Sequence, residues 1–597
     1  MDRFLALGVL GGVLAMACVG SAAEPSAPAP PKSLKIGIAQ ISLAAELETN
    51  RDTILRFIRD GKAAGCRLVI FPETSLDWPP ETTRAAIDAA VEVIVRATDA
   101  ADLYVVLGGH YKRTDADRPY ERLIVIDPDG RIIHRYDKLY SDARFPNVPG
   151  LFYVDGIPCS AILCADRWVR GVEDLPAVSG SQILIECSNN YANEWIEDRG
   201  WYWYVPRALR NNAWVILANT PREKAAQAGH GHSAVIAPDG RLIAAAAGES
   251  NRLVVATLDL AAATRAEAIR RRDHPAFRAW WDVGLRILRG EAVDVPTFEP
   301  LQSPTVAVTL AAAQMACSRN IGENVTRIER LIREGAARGA DLVAFPELAL
   351  TGPDAADIRA ADAAALETAL ERVRAGAKAC EVTVVVGMPL KEGGRTQNGA
   401  VAIGPDGAVL TRYAQLVTDR PDLFTQGTST HAMWFRVKGV PAVVTVGRDG
   451  LWSEIAELAA VRGAQVHVHL DYDGDATPEG AVRRRQFASN LASFRTFTVT
   501  VNAADSAGVP QAGLPGGGGS AVWEDFRRNR TRTAEGFPAY SAVRLAEGGK
   551  GEQMLIARQT VAARNPYYRL MTEKTNPQMK PWYDMGARVI DAEGAGK

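Results

Sequence analysis

Three residues of this chain close apolar runs with side chains that can do chemistry. Glu73 ends LVIFPE, Lys138 ends RIIHRYDK, and Cys164 ends AILC. A carboxylate at the buried C-terminal end of a strand loses solvation, which raises its pKa toward the range useful to a general base. A cation nearby can hold the negative charge that develops on an attacked carbonyl oxygen, and a thiol brought to both becomes a nucleophile. Each has a bland reading when taken singly: a Glu or Lys after a strand faces solvent, and a Cys in an apolar strand fills a core. An acid, a cation and a thiol at three strand ends together point to covalent acyl chemistry.

The elements that must position them occur twice. KIGIAQIS (Lys35–Ser42) and VAVTLAAAQMAC (Val306–Cys317) both read as buried strands, each followed by a helix-like stretch, Asn50–Ala64 and Asn324–Ala337. GCRLVIFPE then matches GADLVAFPE, ending at Glu73 and Glu347. RLIVIDPDGRIIHRYDKL (Arg122–Leu139) matches GAVAIGPDGAVLTRYAQL (Gly399–Leu416), each a strand, a Pro-Asp-Gly turn and a strand. IPCSAILCADRW (Ile157–Trp168) matches VPAVVTVGRDGL (Val440–Leu451), and VILANT (Val215–Thr220) matches VTVNAA (Val499–Ala504). This is a tandem duplication of an α/β layered domain. The copies are expected over 34–292 and 305–571, joined by a linker at 293–304 that carries Pro296, Pro300 and Pro304. A tail at 572–597 holds Trp582 and Tyr583 and reads as an arm packed on a neighbouring surface.

FPE at Phe71–Glu73, Tyr136-x-Lys138 and Ile162-Leu-Cys164-Ala-Asp166-Arg167 resemble the three successive signatures of the nitrilase, or carbon–nitrogen hydrolase, superfamily, in its order and at its approximate spacing. The resemblance implies a four-layer α-β-β-α sandwich in two tandem copies. It also implies a Glu73–Lys138–Cys164 triad in which Glu73 takes the thiol proton and the thiolate attacks an amide or nitrile carbon. Lys138 and the backbone N–H of Ala165 would hold the oxyanion, a thioester would form, and water would release the acid. No metal or organic cofactor is implied. The nucleophile context Cys164-Ala165-Asp166 is nearer to amidase, carbamoylase and ureidopropionase-like branches than to the Cys-Trp-Glu of true nitrilases, which favours small amide or carbamoyl substrates. Many members carry a second Glu between the Lys and the Cys. Ser141–Gly150 contains none, so Asp142 is the substitute to test. Trp168, Tyr191 and Trp195, with the run Trp201–Tyr204, are candidates to line a pocket, or to pack beneath its rim. The same thioester could pass its acyl group to an amine, making the chain an N-acyltransferase or transamidase; loss of all chemistry would leave a binding protein of the cell envelope.

In the second copy Glu347 is kept, but Gln415 stands at the Lys position and Gly447 at the Cys position. A glycine cannot attack, so this copy is expected to be a degenerate domain. Family members commonly pair identical domains through helices beside the active sites, and the resemblance therefore implies an intramolecular pseudo-dimer.

The N-terminus carries Arg3, an apolar stretch from Phe4 to Val19 and small residues to Ala23, then Pro-rich sequence to about residue 33. That reads as a signal peptide over residues 1–23, exporting the protein to the periplasm or beyond. An alternative takes Ala15-Met16-Ala17-Cys18 as a lipobox that would anchor Cys18 in a membrane. With a net charge of −2 and 23% charged residues, no long-range field is available for nucleic acid. The basic runs Arg270–Arg272 and Arg483–Arg485 read as surface. Seven scattered cysteines show neither disulfide pairing nor metal spacing, and His467 and His469 lack a third ligand in view.

Overall fold

The structure is a computed structural model that describes residues 31–76, 83–139, 150–168, 170–190, 195, 201, 203–221, 229–248, 251–505, 514–523, 544–575 and 579–590. The expected signal peptide, Cys18, Asp142 and Tyr191 lie outside the described residues, as does the side chain of Trp168. Among the described residues no helix is long and apolar enough to cross a membrane.

Four six-stranded sheets form two sandwiches. In the first sheet the strands lie in the order Arg252–Asp259, Ser33–Gln40, Leu68–Ile70, Tyr104–Tyr111, Tyr120–Ile126 and Ile132–Asp137. Its facing sheet runs Leu242–Ala245, Ala234–Ile236, Trp214–Ala218, Ile183–Cys187, Ile157–Leu163 and Phe152–Val154. In each sheet the three strands that pair in parallel sit inside antiparallel flanks. The inner strands of the second sheet are apolar and buried on both faces, as parallel strands between a helix layer and another sheet must be. Helices Leu47–Ala63 and Arg84–Ala101 cover the first sheet, and Arg170–Ser179 and Tyr204–Asn211 cover the second, completing the α-β-β-α order.

The second copy repeats this topology strand for strand, with the central parallel strands Val306–Gln314, Leu342–Ala344 and Thr383–Glu392 in one sheet and Val440–Val446, Val466–Leu470 and Phe497–Val501 in the other. Hydrogen bonds repeat with it. Glu73 N–H donates to the Ser188 carbonyl, and Glu347 N–H to that of Asp471; the Asn190 N–H donates to Asn219 Oδ1 at 2.9 Å, and that of Asp473 to Asn502 Oδ1 at 2.8 Å. These pairs fix the residue-by-residue equivalence of the two copies.

The copies pack helix layer to helix layer. Arg170–Ser179 meets its counterpart Ser453–Arg462, and Arg278–Leu288 meets Lys580–Val589, an arrangement with the i-to-j reciprocity of a two-fold dimer. Trp280 stacks on Trp582 with ring centroids 4.7 Å apart, and Trp582 Nε1 donates to the Trp280 carbonyl at 2.7 Å. Small residues make the room: a Cβ on Gly284 would come within 2.6 Å of the Trp582 ring, and one on Gly586 within 3.0 Å of Trp280 Nε1. The aromatic tail thus contributes a buried helix between the domains.

One expectation is overturned here. Arg271 is not a surface residue: its side chain is 0% exposed and donates to Glu454 of the second copy at 2.7 and 2.9 Å, to Asp174 at 2.9 Å and to Asn211 at 2.8 Å. A basic run on a helix reads as solvated only while no partner domain is in view. Likewise Arg484 is buried and donates to the Gly517 carbonyl and Asp473, while Arg483 beside it stays largely exposed.

Candidate active site

The three signature residues converge. Glu73 follows the strand Leu68–Ile70, Lys138 directly follows Ile132–Asp137, and Cys164 directly follows Ile157–Leu163 and opens the 3₁₀ turn Cys164–Trp168. Ligand sites of such sheets gather outside the carboxyl ends of parallel strands, where Glu73, Cys164, Asn189, Asn190 and Asn219 all stand. Cys164 sits at φ +40, a conformation a side chain rarely adopts, which turns the chain sharply away from its strand. Asp166 staples this turn to the Lys138 strand by accepting from Tyr136 Oη at 2.8 Å and from the backbone N–H groups of Leu139 and Leu163 at 3.1 Å each. Gly108 lets the Glu73 segment lie close, since a Cβ there would fall 1.8 Å from the Glu73 carbonyl oxygen.

Lys138 Nζ donates to two carboxylates, Glu73 Oε1 at 2.6 Å and Glu121 Oε2 at 2.6 Å. Glu121 lies on the strand Tyr120–Ile126, pairs in register with His110, and takes the Lys138 backbone N–H on its carbonyl at 2.9 Å. Glu73 Oε2 also accepts from the Asn189 N–H at 3.0 Å. One cation between two acids separates their proton affinities. Burial and then the Glu121 charge push the Glu73 carboxyl well above the usual carboxylate range, against the pull of Lys138. Burial would also raise Glu121, but Lys138 and its hydrogen bonds win and bring it down to about 2. Burial works against the Lys138 ammonium, but Glu73, Glu121 and the nearby Cys164 outweigh it and hold its proton affinity well above the usual lysine range. Glu73 is therefore the carboxyl of the pair with the higher proton affinity, the one suited to take up and release a proton, with Glu121 a fixed anion.

The Cys164 thiol donates to Asn190 Oδ1 at 3.3 Å, and Ala165 lies beside it, half-buried in the same turn. Trp195, half-buried, stacks on His232 at 3.7 Å and lies 5.5 Å from His230, whose N–H donates to the Asn190 carbonyl. The aromatic group thus adjoins the thiol through Asn190. The sequence did not single out Glu121, Asn189 or Asn190. The resemblance implies a second Glu between Lys138 and Cys164, whereas Glu121 precedes Lys138 and reaches it across a strand pair. Among the described residues no group of three or more His, Cys, Asp or Glu could hold a metal ion; His467 and His469 both face Thr445 Oγ1, at 2.8 and 2.9 Å.

The family model described as carbon-nitrogen hydrolase matches residues 35–268 and 309–525, most of the chain and parts of both copies. The chain belongs to the carbon-nitrogen hydrolase family. Among curated relatives of this family member, the glutamine-dependent NAD(+) synthetase of Aquifex aeolicus (strain VF5) is 27% identical over 253 residues, 39% of this chain and 43% of the synthetase, so the match spans under half of that relative. The omega-amidase NIT2 of Homo sapiens is 22% identical over 253 residues, 38% of this chain and 89% of the amidase. The solved amidase from Nesterenkonia sp. is 20% identical, with a TM-score of 0.37, and the match covers 46% of this chain and 96% of the amidase.

The second copy has no room for a side chain where the first holds its thiol. Gly447 takes φ +50 in the place of Cys164, and a Cβ on it would stand 2.7 Å from Glu347 Oε2 and 2.9 Å from Gln415 Nε2. Asn398, in the place of Glu121, donates to Glu347 Oε1 at 2.5 Å and to Gln415 Oε1 at 3.0 Å; Gln415 in turn donates to the Val446 carbonyl at 3.0 Å. Two amides, Gln415 and Asn398, stand where the first copy has the ammonium and Glu121, around the carboxyl of the retained Glu347.

Proposed function

We propose that this protein is an exported hydrolase that cleaves a non-peptide carbon–nitrogen bond of a small amide or carbamoyl compound through a thioester on Cys164. The observation that carries the reading is a single ammonium shared by two carboxylates beside a thiol held at a strand end. Glu73 takes the Cys164 proton as the sulfur attacks the substrate carbon, and the oxyanion forms against Lys138 and the Ala165 N–H. Glu73 then gives its proton to the departing ammonia or amine, leaving the thioester. A water that Glu73 deprotonates adds to that carbonyl, the carbon–sulfur bond breaks, and the acid leaves as Cys164 regains a proton. Glu121 keeps Lys138 charged throughout. Trp195, stacked on His232, is a candidate to give the pocket an aromatic side, and Trp168, Tyr191 and Asp142 are further candidates to contact the substrate.

The second copy, with Gly447 and Gln415 in place of the thiol and the ammonium, performs no chemistry and takes the place of a partner subunit. The N-terminal apolar stretch directs export.

Intact-mass measurement on the full chain tests the reading. Wild type quenched in acid during turnover of a library of small amides and carbamoyl compounds is expected to carry an acyl mass on the Cys164 peptide. Turnover that persists in Cys164→Ala, or an adduct mapped to another residue, would overturn it. Product analysis with an added amine separates hydrolysis from acyl transfer.

A further inference from the structure

Behind the strand ends lies a closed ring of hydrogen bonds that the reaction above does not use. Arg167 Nη1 donates to the Cys164 carbonyl at 3.4 Å, reaches the Cys164 sulfur at 3.9 Å and donates to Glu186 Oε1 at 2.8 Å. Glu186 also accepts from Ser188 Oγ at 2.7 Å and from Tyr204 Oη at 3.0 Å; Tyr204 accepts from Asn190 Nδ2 at 3.2 Å, and Asn190 accepts from the thiol. Arg167 and Glu186 are buried, with side chains 3% and 1% exposed. A buried ion pair is weak evidence for stability, because an apolar pair of the same volume does as well or better. Its position against the sulfur therefore asks for another reason.

The second copy supplies the control. Scaffold hydrogen bonds survive there: Tyr136–Asp166 as Tyr413–Asp449, Asn219–Ser233 as Asn502–Ser520, and Ser233–Gln40 as Ser520–Gln314. The ring does not. Where the first copy has Cys164, Arg167, Glu186, Asn190 and Tyr204, the second has Gly447, Gly450, His469, Asp473 and Phe487. A Cβ on Gly450 would come within 2.8 Å of the His469 ring, so His469 fills the space that a side chain at position 450 would need. The ring is absent where the thiol is absent, while the bonds that hold the fold are kept.

We propose that Arg167 is a positioning residue for the nucleophile, its guanidinium locked by Glu186 so that the Cys164 thiolate forms against a second, fixed cation in addition to Lys138. The proposal rests on Cys164 being the nucleophile. A guanidinium within 4 Å favours the charged form of a thiol, and Asn190, tied through Tyr204 to the same Glu186, sets the direction of the S–H bond.

The test is the pH dependence of Cys164 alkylation by iodoacetamide, read by peptide mass spectrometry on the full chain, together with the thermal midpoint. Arg167→Gln is expected to alkylate at least about tenfold more slowly than wild type at pH 7, with the midpoint of its profile moved to higher pH. Arg167→Lys, which keeps the charge, is expected to recover part of the rate. Because Arg167→Gln leaves Glu186 with the buried Arg207 guanidinium, 3.9 Å from its other oxygen, as its remaining cation among the described residues, Arg167→Gln/Glu186→Gln removes both members of the close pair and is expected to fold and keep the shifted profile. Wild-type profiles in Arg167→Gln and in the double variant would overturn the proposal while leaving Cys164 as the nucleophile. If wild-type Cys164 itself labels no faster than an ordinary thiol, the proposal and the functional reading on which it rests fail together; Cys164→Ala turnover then shows whether any thiol chemistry remains.

Discussion

At the scale of single residues, the separation of two carboxylates by one lysine matters most. Glu121→Gln removes the charge that helps raise Glu73 and leaves Lys138 wholly to Glu73, so the Glu73 proton affinity must fall. The expected outcome is a kcat about 10- to 100-fold lower, with the acid limb of the pH–rate profile moved to lower pH; an unmoved limb would contradict the coupling. Glu347 allows a stability measurement free of catalysis. Burial, and then the Asp471 charge, push its carboxyl from the ordinary 4.5 up to about 8. The folded state thus holds this proton after the unfolded chain has released it, and the stability this gives, full below pH 4.5, is lost as pH rises to about 8. Glu347→Gln removes the dependence. Its melting temperature should gain on wild type from pH 5 to pH 8 and gain no further above that. What was legible at this scale follows from the same physics: Glu73, Lys138 and Cys164 each close an apolar run, which marks them. Glu121 sits inside YERLIVI, where a strand's polar alternation hides it, and only its replacement by Asn398 at the matching position hints at a role. Glu186 was also open to detection, since a lone acid within ILIEC is a charge that burial would not tolerate unpaired.

At the scale of elements, the sequence repeats gave away the strand order's regularity because the parallel strands are largely buried, mostly apolar runs and each Pro-Asp-Gly turn marks a hairpin. The pairing of sheets and the tilt of the nucleophile turn were not legible, since a positive φ at Cys164 leaves no composition signal. The close approach at Gly108 offers a test that separates structure from chemistry. Gly108→Ala would force a Cβ onto the Glu73 carbonyl, and Gly387→Ala would do the same 2.3 Å from the Pro346 carbonyl in the second copy. Each is expected to cost about 1–3 kcal/mol in chemical denaturation. Only Gly108→Ala should also reduce kcat, by about 100-fold, because only there does a displaced glutamate serve a thiol; equal loss from both would mean that the second copy's site matters to turnover.

At the scale of the whole molecule, the interface is built from charges and aromatics that a one-domain reading assigns to surface or tail. Arg271 looked like part of a solvated run because its partner Glu454 lies in the other copy, far along the chain. Glu454→Gln leaves the buried Arg271 cation with Asp174 as its remaining carboxylate among the described residues, and a loss of about 3–5 kcal/mol is expected, seen as a lowered denaturant midpoint with both copies unfolding together. The Trp280–Gly284 and Trp582–Gly586 interlock carries a consequence of inheritance rather than of energy. In an assembly of identical subunits every codon change appears on both sides of the axis, so a site cannot be lost on one side only. Here the two faces are written in separate stretches of one gene, and a change to one leaves the other untouched. Every molecule translated then carries one thiol-bearing site and one amide-filled site, whatever its abundance, a fixed dosage that random pairing of two separate gene products cannot guarantee.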